Sequence, residues 1–312
     1  VRYTHALKTV VKGATMTINA HPELPDFDYV RPATLMEASQ FLAQHAGEAR
    51  PLCGGTDIFV RMRDGLWHDR YLVDVKKLDG TANLACDAAG LTIGAGVSMN
   101  RVIAEAAVRQ NYPLLAEACC SVASHQLRTR ATIVGNLCNA SPAGDTIGAC
   151  LVLGGRLRVH GTDGFREIPL EGFFTGPGKN TLRPGDIVTA IHFAPLPAHS
   201  AGTYIKLGRN TWSDLSIVGL TAFGYPDETA ASGYRFKIAM ASVAPTPLLA
   251  HKAQDFLAEN PPNLQSFDQA ARLASAACSP IDDVRSSARY RKLMVYQLTK
   301  KALQQTWEKL TR

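Results

Sequence analysis

Between Arg50 and Asp57 a short strand, Arg50-Pro51-Leu52-Cys53, runs straight into Gly54-Gly55-Thr56-Asp57, and this junction constrains the fold more than any other. A helical stretch, Ile58 to Asp64, and a second apolar run, Tyr71 to Val75, follow it. Two strands joined through a helix must lie parallel, and the crossover between them is right-handed. An all-helical or purely antiparallel architecture is thereby excluded. Upstream, Leu35, Ala38, Phe41 and Leu42 share one helical face and Gly47 marks the stop, so residues 26–80 form a first βαβ subdomain.

The pattern then changes. Leu91–Ala95 reads as a strand, Ser98 opens a helix, and Leu114–Ala118 lies in another. An apolar helix from Thr146 to Leu153 and strands at Arg156–Val159 and Ile187–Phe193 complete a second subdomain over 81–197, closed by the linker Pro195-Leu196-Pro197. Strands at 202–207, 217–225 and 236–241, then helices at 266–278 and 288–310, predict an α+β domain over 198–312. Residues 1–25 show no sustained period and read as a mobile leader, with Met16 as an alternative start.

Composition narrows the function. The chain has 312 residues, 46% hydrophobic and 19% charged, which is globular. Its seven cysteines form no C-x-x-C pair, so a zinc ribbon or disulfide scaffold is not indicated and a reducing cytoplasm fits. No stretch reaches the ~18 apolar residues of a membrane span. The net charge of +6 is dispersed, which argues against nucleic acid. The basic residues Arg285, Arg289, Arg291, Lys292, Lys300 and Lys301 gather toward the C-terminus. A solvated helix face explains them better than an adaptor surface does.

Two segments carry candidate chemistry. Paired glycines after a strand let main chain approach a ligand, and the helix start that follows presents free N–H groups suited to phosphate. A tight turn capped by Asp57 would use the same residues. The second segment, Ala131 to Asp145, crowds small residues with hydroxyl, amide and carboxylate groups that need hydrogen-bond partners. Two such loops in one chain favour a shared, extended anionic ligand such as a dinucleotide. Competing motifs fail: Met99 stands where a Rossmann fingerprint needs its third glycine after Gly94-Ala95-Gly96. In Gly176-Pro177-Gly178-Lys179, Phe173 and Asn180 break the Walker pattern. The glycosylation pattern Asn139-Ala140-Ser141 lacks a secretory route, and no nucleophilic triad stands out.

Together, Cys53-Gly54-Gly55-Thr56-Asp57-Ile58 and Thr132-Ile133-Val134-Gly135-Asn136 through Ser141-Pro142-Ala143-Gly144-Asp145 resemble the signature loops of the FAD-binding subunits of molybdenum hydroxylases. They come in the family's order, about 76 residues apart. Gly172–Lys179, Val243–Pro247 and Ser287–Arg291 are most similar to the flavin subunits of bacterial xanthine dehydrogenases. The resemblance implies a bipartite FAD-binding domain of the vanillyl-alcohol oxidase and p-cresol methylhydroxylase type. It adds a C-terminal α+β domain of the carbon monoxide dehydrogenase flavoprotein type.

It also implies that Arg50, Pro51, Leu52, Cys53, Gly54, Gly55, Thr56 and Asp57 wrap the pyrophosphate. Ala131, Thr132, Ile133, Val134, Gly135 and Asn136 continue the cradle, Asp145 holds the adenosine side, and Ile187 and Lys206 contact FAD. A cation such as Lys206 suits the neighbourhood of flavin because it stabilises the anionic reduced form. Val134 departs from the family's usual glycine and is tolerated if its side chain points away from the phosphates. No residue is expected to act as a catalytic acid or base, or to bind metal. By resemblance, electrons arrive from iron–sulfur clusters, a partner subunit carries the molybdenum cofactor, and NAD or another acceptor takes the electrons. The rival expectation is a free-standing FAD-dependent oxidase of the vanillyl-alcohol oxidase fold.

Overall fold

The computed structural model describes residues 8–11, 14–17, 24–210 and 214–312. Most of the expected leader lies outside the described residues. Within it, β1 (Lys8–Val11) pairs antiparallel with β2 (Ala14–Thr17).

The first subdomain is β3 (Asp28–Val30), α1 (Leu35–Gln44), β4 (Ala49–Leu52), α2 (Ile58–Arg63) and β5 (Tyr71–Asp74). Its three strands are ordered β3-β5-β4 and all pair in parallel, as a helical crossover requires. The Thr34 hydroxyl caps α1 by accepting from the Glu37 N–H, and Leu35, Ala38 and Leu42 face the sheet.

The second subdomain contains β6 (Leu84–Asp87), β7 (Gly90–Gly94), the helices α3 (Met99–Ala104), α4 (Ala106–Asn111), α5 (Pro113–Cys120), α6 (His125–Arg128), α7 (Ile133–Asn139) and α8 (Ile147–Val152), then β8 (Arg156–Gly161), β9 (Gly164–Pro169), the hairpin β10 (Phe174–Gly176) and β11 (Lys179–Asn180), and β12 (Ile187–Phe193). Its five-stranded sheet is antiparallel in the order β6-β7-β12-β8-β9. The largest core, including Leu91, Ile93, Leu115, Ile133, Leu137 and Phe193, lies here. A buried hydrogen bond, Ser39 Oγ to His160 Nδ1 at 2.9 Å, joins α1 to β8 and so joins the two subdomains.

The C-terminal domain is the antiparallel run β13 (Ala201–Leu207), β14 (Val218–Pro226), β15 (Tyr234–Ala241) and β16 (Leu248–Leu249), covered by α9 (His251–Glu259), α10 (Leu264–Ala277) and α11 (Ala288–Leu310). Val218, Leu220 and Ala222 of β14 face the helices, which supply Phe267, Val295 and Leu303. The opposite face receives α8. A Cβ on Gly148 would come within 2.4 Å of the Thr221 hydroxyl, so glycine lets α8 lie close on the sheet. Among the described residues no helix is long and apolar enough to cross a membrane.

Candidate functional site

The two polar segments singled out in the sequence meet. A Cβ on Gly54 would stand 2.3 Å from the carbonyl oxygen of Arg130, so the β4–α2 loop touches the main chain leading into α7 with no side chain between. Gly55 turns the loop with φ +77°, a left-handed conformation open to glycine. A second link is the Asn139 amide, which donates to Asp57 Oδ1 at 3.0 Å. Asp57 therefore does not cap α2; its carboxylate reaches across to α7. Burial raises its pKa, and Arg61 and Asn139 pull it back down.

The cradle is made of main chain. Among the described residues, the N–H groups of Gly54, Gly55, Thr56 and Asp57 have no hydrogen-bond partner. On the opposite wall the Thr132 hydroxyl caps α7 by accepting from the Gly135 N–H at 2.9 Å, and the Val134 N–H has no hydrogen-bond partner among the described residues, whereas Ile133 follows directly on the antiparallel bridge between Ser98 and Thr132 that engages its N–H. Consecutive unpaired N–H groups in a concave turn form an anion-binding nest. Gly135 adds no bulk, and Asn136 is held by the Thr146 hydroxyl, which donates to its Oδ1 at 2.7 Å.

The side chains around the cradle also have protein partners of their own. Arg50 is committed elsewhere: its Nε donates to Asp69 Oδ2 at 2.7 Å and its guanidinium lies 3.6 Å from the Trp67 ring centroid. Pro51 has no N–H to offer, and the Leu52 side chain is buried with Met62 and Leu72. Cys53 is half-buried; burial pushes its thiol up to about 12, against the opposing pull of Lys76. Ala131, Ile133 and Val134 bury their side chains in the main core, so only their main chain can face a ligand. The Val134 methyls thus point away from the anion nest. The Ile187 side chain belongs to the core with Leu35 and Val73, which limits it to main-chain contact.

Asp145 and Lys206, expected at the adenosine and flavin parts of the ligand, lie together. Lys206 Nζ donates to Asp145 Oδ2 at 2.7 Å and to the Ser121 carbonyl at 3.0 Å. The sequence reading also missed Tyr204, whose hydroxyl donates to Asp145 Oδ1 at 2.8 Å. The spacing of Tyr204 and Lys206 on one strand, two residues apart, was the available signal. Burial raises the Asp145 pKa, and Lys206 and Tyr204 oppose the rise.

Gly94 ends β7 and, with Gly96 in the turn that follows, packs against Thr81, and Gly176-Pro177-Gly178 is the tip of the β10–β11 hairpin. Among the described residues no group of three or more His, Cys, Asp or Glu is placed to hold a metal ion.

The FAD binding domain in molybdopterin dehydrogenase matches residues 25–197, and the carbon monoxide dehydrogenase flavoprotein C-terminal domain matches residues 203–306. The xanthine dehydrogenase FAD-binding subunit of Escherichia coli O157:H7 is 30% identical over 277 residues, 88% of this chain and 94% of that protein. The carbon monoxide dehydrogenase medium chain of Hydrogenophaga pseudoflava is 29% identical over 286 residues, 91% of this chain and 98% of that one. A solved carbon monoxide dehydrogenase from the same organism, lacking the Mo-pyranopterin moiety, aligns with a TM-score of 0.88 at 28% identity, covering 92% of this chain and 99% of that one. Two domain models that together span most of the chain, and a fold shared along nearly the whole length of these proteins, place the chain in the FAD-binding subunit family of the molybdenum hydroxylases.

Proposed function

We propose that this chain is the electron-transfer subunit of a xanthine dehydrogenase-like complex in the cytoplasm, working beside a molybdenum-cofactor subunit and an iron–sulfur subunit. The observation that carries the reading is the closure of Gly54 on Arg130, which brings the N–H groups of Gly54 to Asp57 beside the start of α7, where the Val134 N–H is also without a partner among the described residues. The N–H groups of Gly54 to Asp57, with that of Val134, hold the pyrophosphate. Asp145, with Lys206 and Tyr204, forms a polar post at one end of the cradle. When bound, FAD supplies the exchange between single electrons from iron–sulfur clusters and a two-electron transfer to NAD or another acceptor. The chain's own residues bind and orient; none is assigned as acid or base. The names of the relatives support purine chemistry on a partner subunit, with carbon monoxide as the other substrate they bring forward.

The test is to purify the native protein with whatever accompanies it, record its absorption spectrum, and measure iron and molybdenum. Flavin bands together with both metals, and reduction of NAD on adding xanthine, support the proposal. A flavin-loaded single chain free of both metals, reducing oxygen with a substrate of its own, would overturn it in favour of the free-standing oxidase.

A further inference from the structure

The C-terminal domain holds the stretch Ser141–Asp145, which continues the cofactor loop, from three sides. The Ser242 N–H donates to the Pro142 carbonyl at 2.7 Å, the Ser216 hydroxyl lies 3.4 Å from the Ala143 carbonyl, and Tyr204 and Lys206 converge on Asp145. Successive side chains of a strand alternate between faces, so residues 204 and 206 of β13 reach the same group. The Asp145 carboxylate is 7% exposed, and each of its oxygens takes one donor from that strand. An ionised carboxylate has about four acceptor positions, so about two remain for a ligand.

We propose that Tyr204 is a positioning residue for cofactor binding: its hydroxyl holds the Asp145 carboxylate ionised and in one orientation, so that the remaining lone pairs accept from hydroxyl groups of the FAD sugar or ribityl chain. The proposal rests on Asp145 lining the cofactor site, as set out above. Lys206 alone does not suffice for this role. It neutralises the charge but bonds only Oδ2, and its ammonium is shared with the Ser121 carbonyl. The phenol bonds Oδ1, which stops the carboxylate from rotating about its own axis. Tyr204 is itself 7% exposed, and burial, then the neighbouring carboxylate, raises its pKa, so it stays a donor across the working pH range.

Other charged groups face this cluster. Glu117 on α5 bears on Tyr204, and Lys309 on α11 stands 3.9 Å from Glu117. Removing the phenol hydroxyl deletes one of the bonds that oppose the burial-driven rise of the Asp145 pKa. In Tyr204→Phe the pH at which the carboxylate takes up a proton therefore moves upward, and cofactor affinity falls off at a higher pH than in the unsubstituted chain.

The test is titration of the full chain, stripped of flavin, with FAD by fluorescence quenching between pH 5.5 and 8. Tyr204→Phe is expected to raise Kd roughly tenfold at pH 7, the order of one buried hydrogen bond to a charged group, with its fall-off shifted to higher pH. Tyr112→Phe is the control. That tyrosine is 2% exposed and donates to the Ala194 carbonyl at 2.9 Å, so its loss lowers thermal stability and leaves Kd unchanged. In an Asp145→Ala background, Tyr204→Phe is expected to cost nothing further in Kd, since the carboxylate it holds is gone. Superimposable pH profiles for Tyr204→Phe and the unsubstituted chain overturn the proposal. So does an equal Kd change in Tyr112→Phe, or full additivity with Asp145→Ala. Failure of the unsubstituted chain to take up FAD at any pH removes the cofactor assignment itself, and the proposal with it.

Discussion

Alanine at position 54 is the smallest change that enters the gap between the two loops. Its Cβ would lie 2.3 Å from the Arg130 carbonyl oxygen and 3.0 Å from the carbonyl carbon. An ordinary carbon–oxygen contact is roughly 3.3 Å or more, so the loops must part by about 1 Å. The obstructing atoms are main chain and cannot swing aside as a side-chain tip would. In the proposed site phosphate donors lie on both walls, so parting them breaks good hydrogen-bond geometry on at least one. Losing two charge-assisted hydrogen bonds, at ~1.5–3 kcal/mol each, costs about 3–6 kcal/mol. At ~1.4 kcal/mol per decade this corresponds to an increase in Kd of roughly two to four powers of ten. Calorimetric titration of the full chain with FAD measures it. Gly47→Ala is the reference: φ there is +86° and nothing lies within 4 Å of the added methyl, so it costs ~1–2 kcal/mol of stability and leaves Kd alone. A Gly54→Ala chain that binds FAD within threefold of the unsubstituted protein would show that the cradle does not close there.

Three further outcomes follow from the packing and the buried charges. Arg291 is 1% exposed and donates to the carbonyls of Ile217 and Ser242 and to Asp283, so Arg291→Met removes the donor from both carbonyls and leaves Asp283 to Arg285. It should cost about 3 kcal/mol and lower Tm by roughly 5 °C in a calorimetric scan; no change would mean that water replaces the guanidinium. Burial would raise the Asp74 pKa, but hydrogen bonds from Lys76 and Tyr29 overcome it and hold the group below its usual 3.8. A depressed carboxylate contributes stability that is full above its unfolded pKa and lost as pH falls through the folded value. The fall in Tm on acidification below about pH 4 should therefore be shallower in Asp74→Asn, and equal slopes would exclude this pair as a source of acid lability. Burial pushes the thiols of Cys53 and Cys138 up to about 12, whereas Cys120 is exposed. Iodoacetamide on the native protein should modify Cys120 and spare the other two until denaturant is added, as read by peptide mass spectrometry; native labelling of Cys53 would contradict its burial.

The parallel sheet of the first subdomain was legible because a strand, a glycine turn, a helix and a strand admit one handed connection. The helix start at Ser98 was legible because a hydroxyl cap precedes a helical stretch. The helix Ile133–Asn139 was hidden: Gly135, Asn136 and Asn139 dilute a face made by Ile133, Val134 and Leu137, and the stretch read as a polar loop. His251–Glu259 was hidden for another reason, since Ala250 gives it no side-chain cap and its apolar positions are few. At the site, glycines declared themselves because a missing Cβ has a geometric consequence wherever it occurs. The protein neighbours of Arg50 and Ile187 were not legible, because a strand's sequence does not say what each face will meet. Asp145 and Lys206 lie 61 positions apart, and only the folded chain makes them a pair.

The contact of Gly54 with the Arg130 carbonyl has a bearing on how such a protein changes over time. The width of the cradle is gauged by main chain against main chain, so most substitutions around it leave the gauge untouched. The positions barred from drifting are those whose Cβ would intrude, together with the few polar groups that hold the walls. Two descendants of one ancestor can then lose the greater part of their common residues while the same cofactor still fits both.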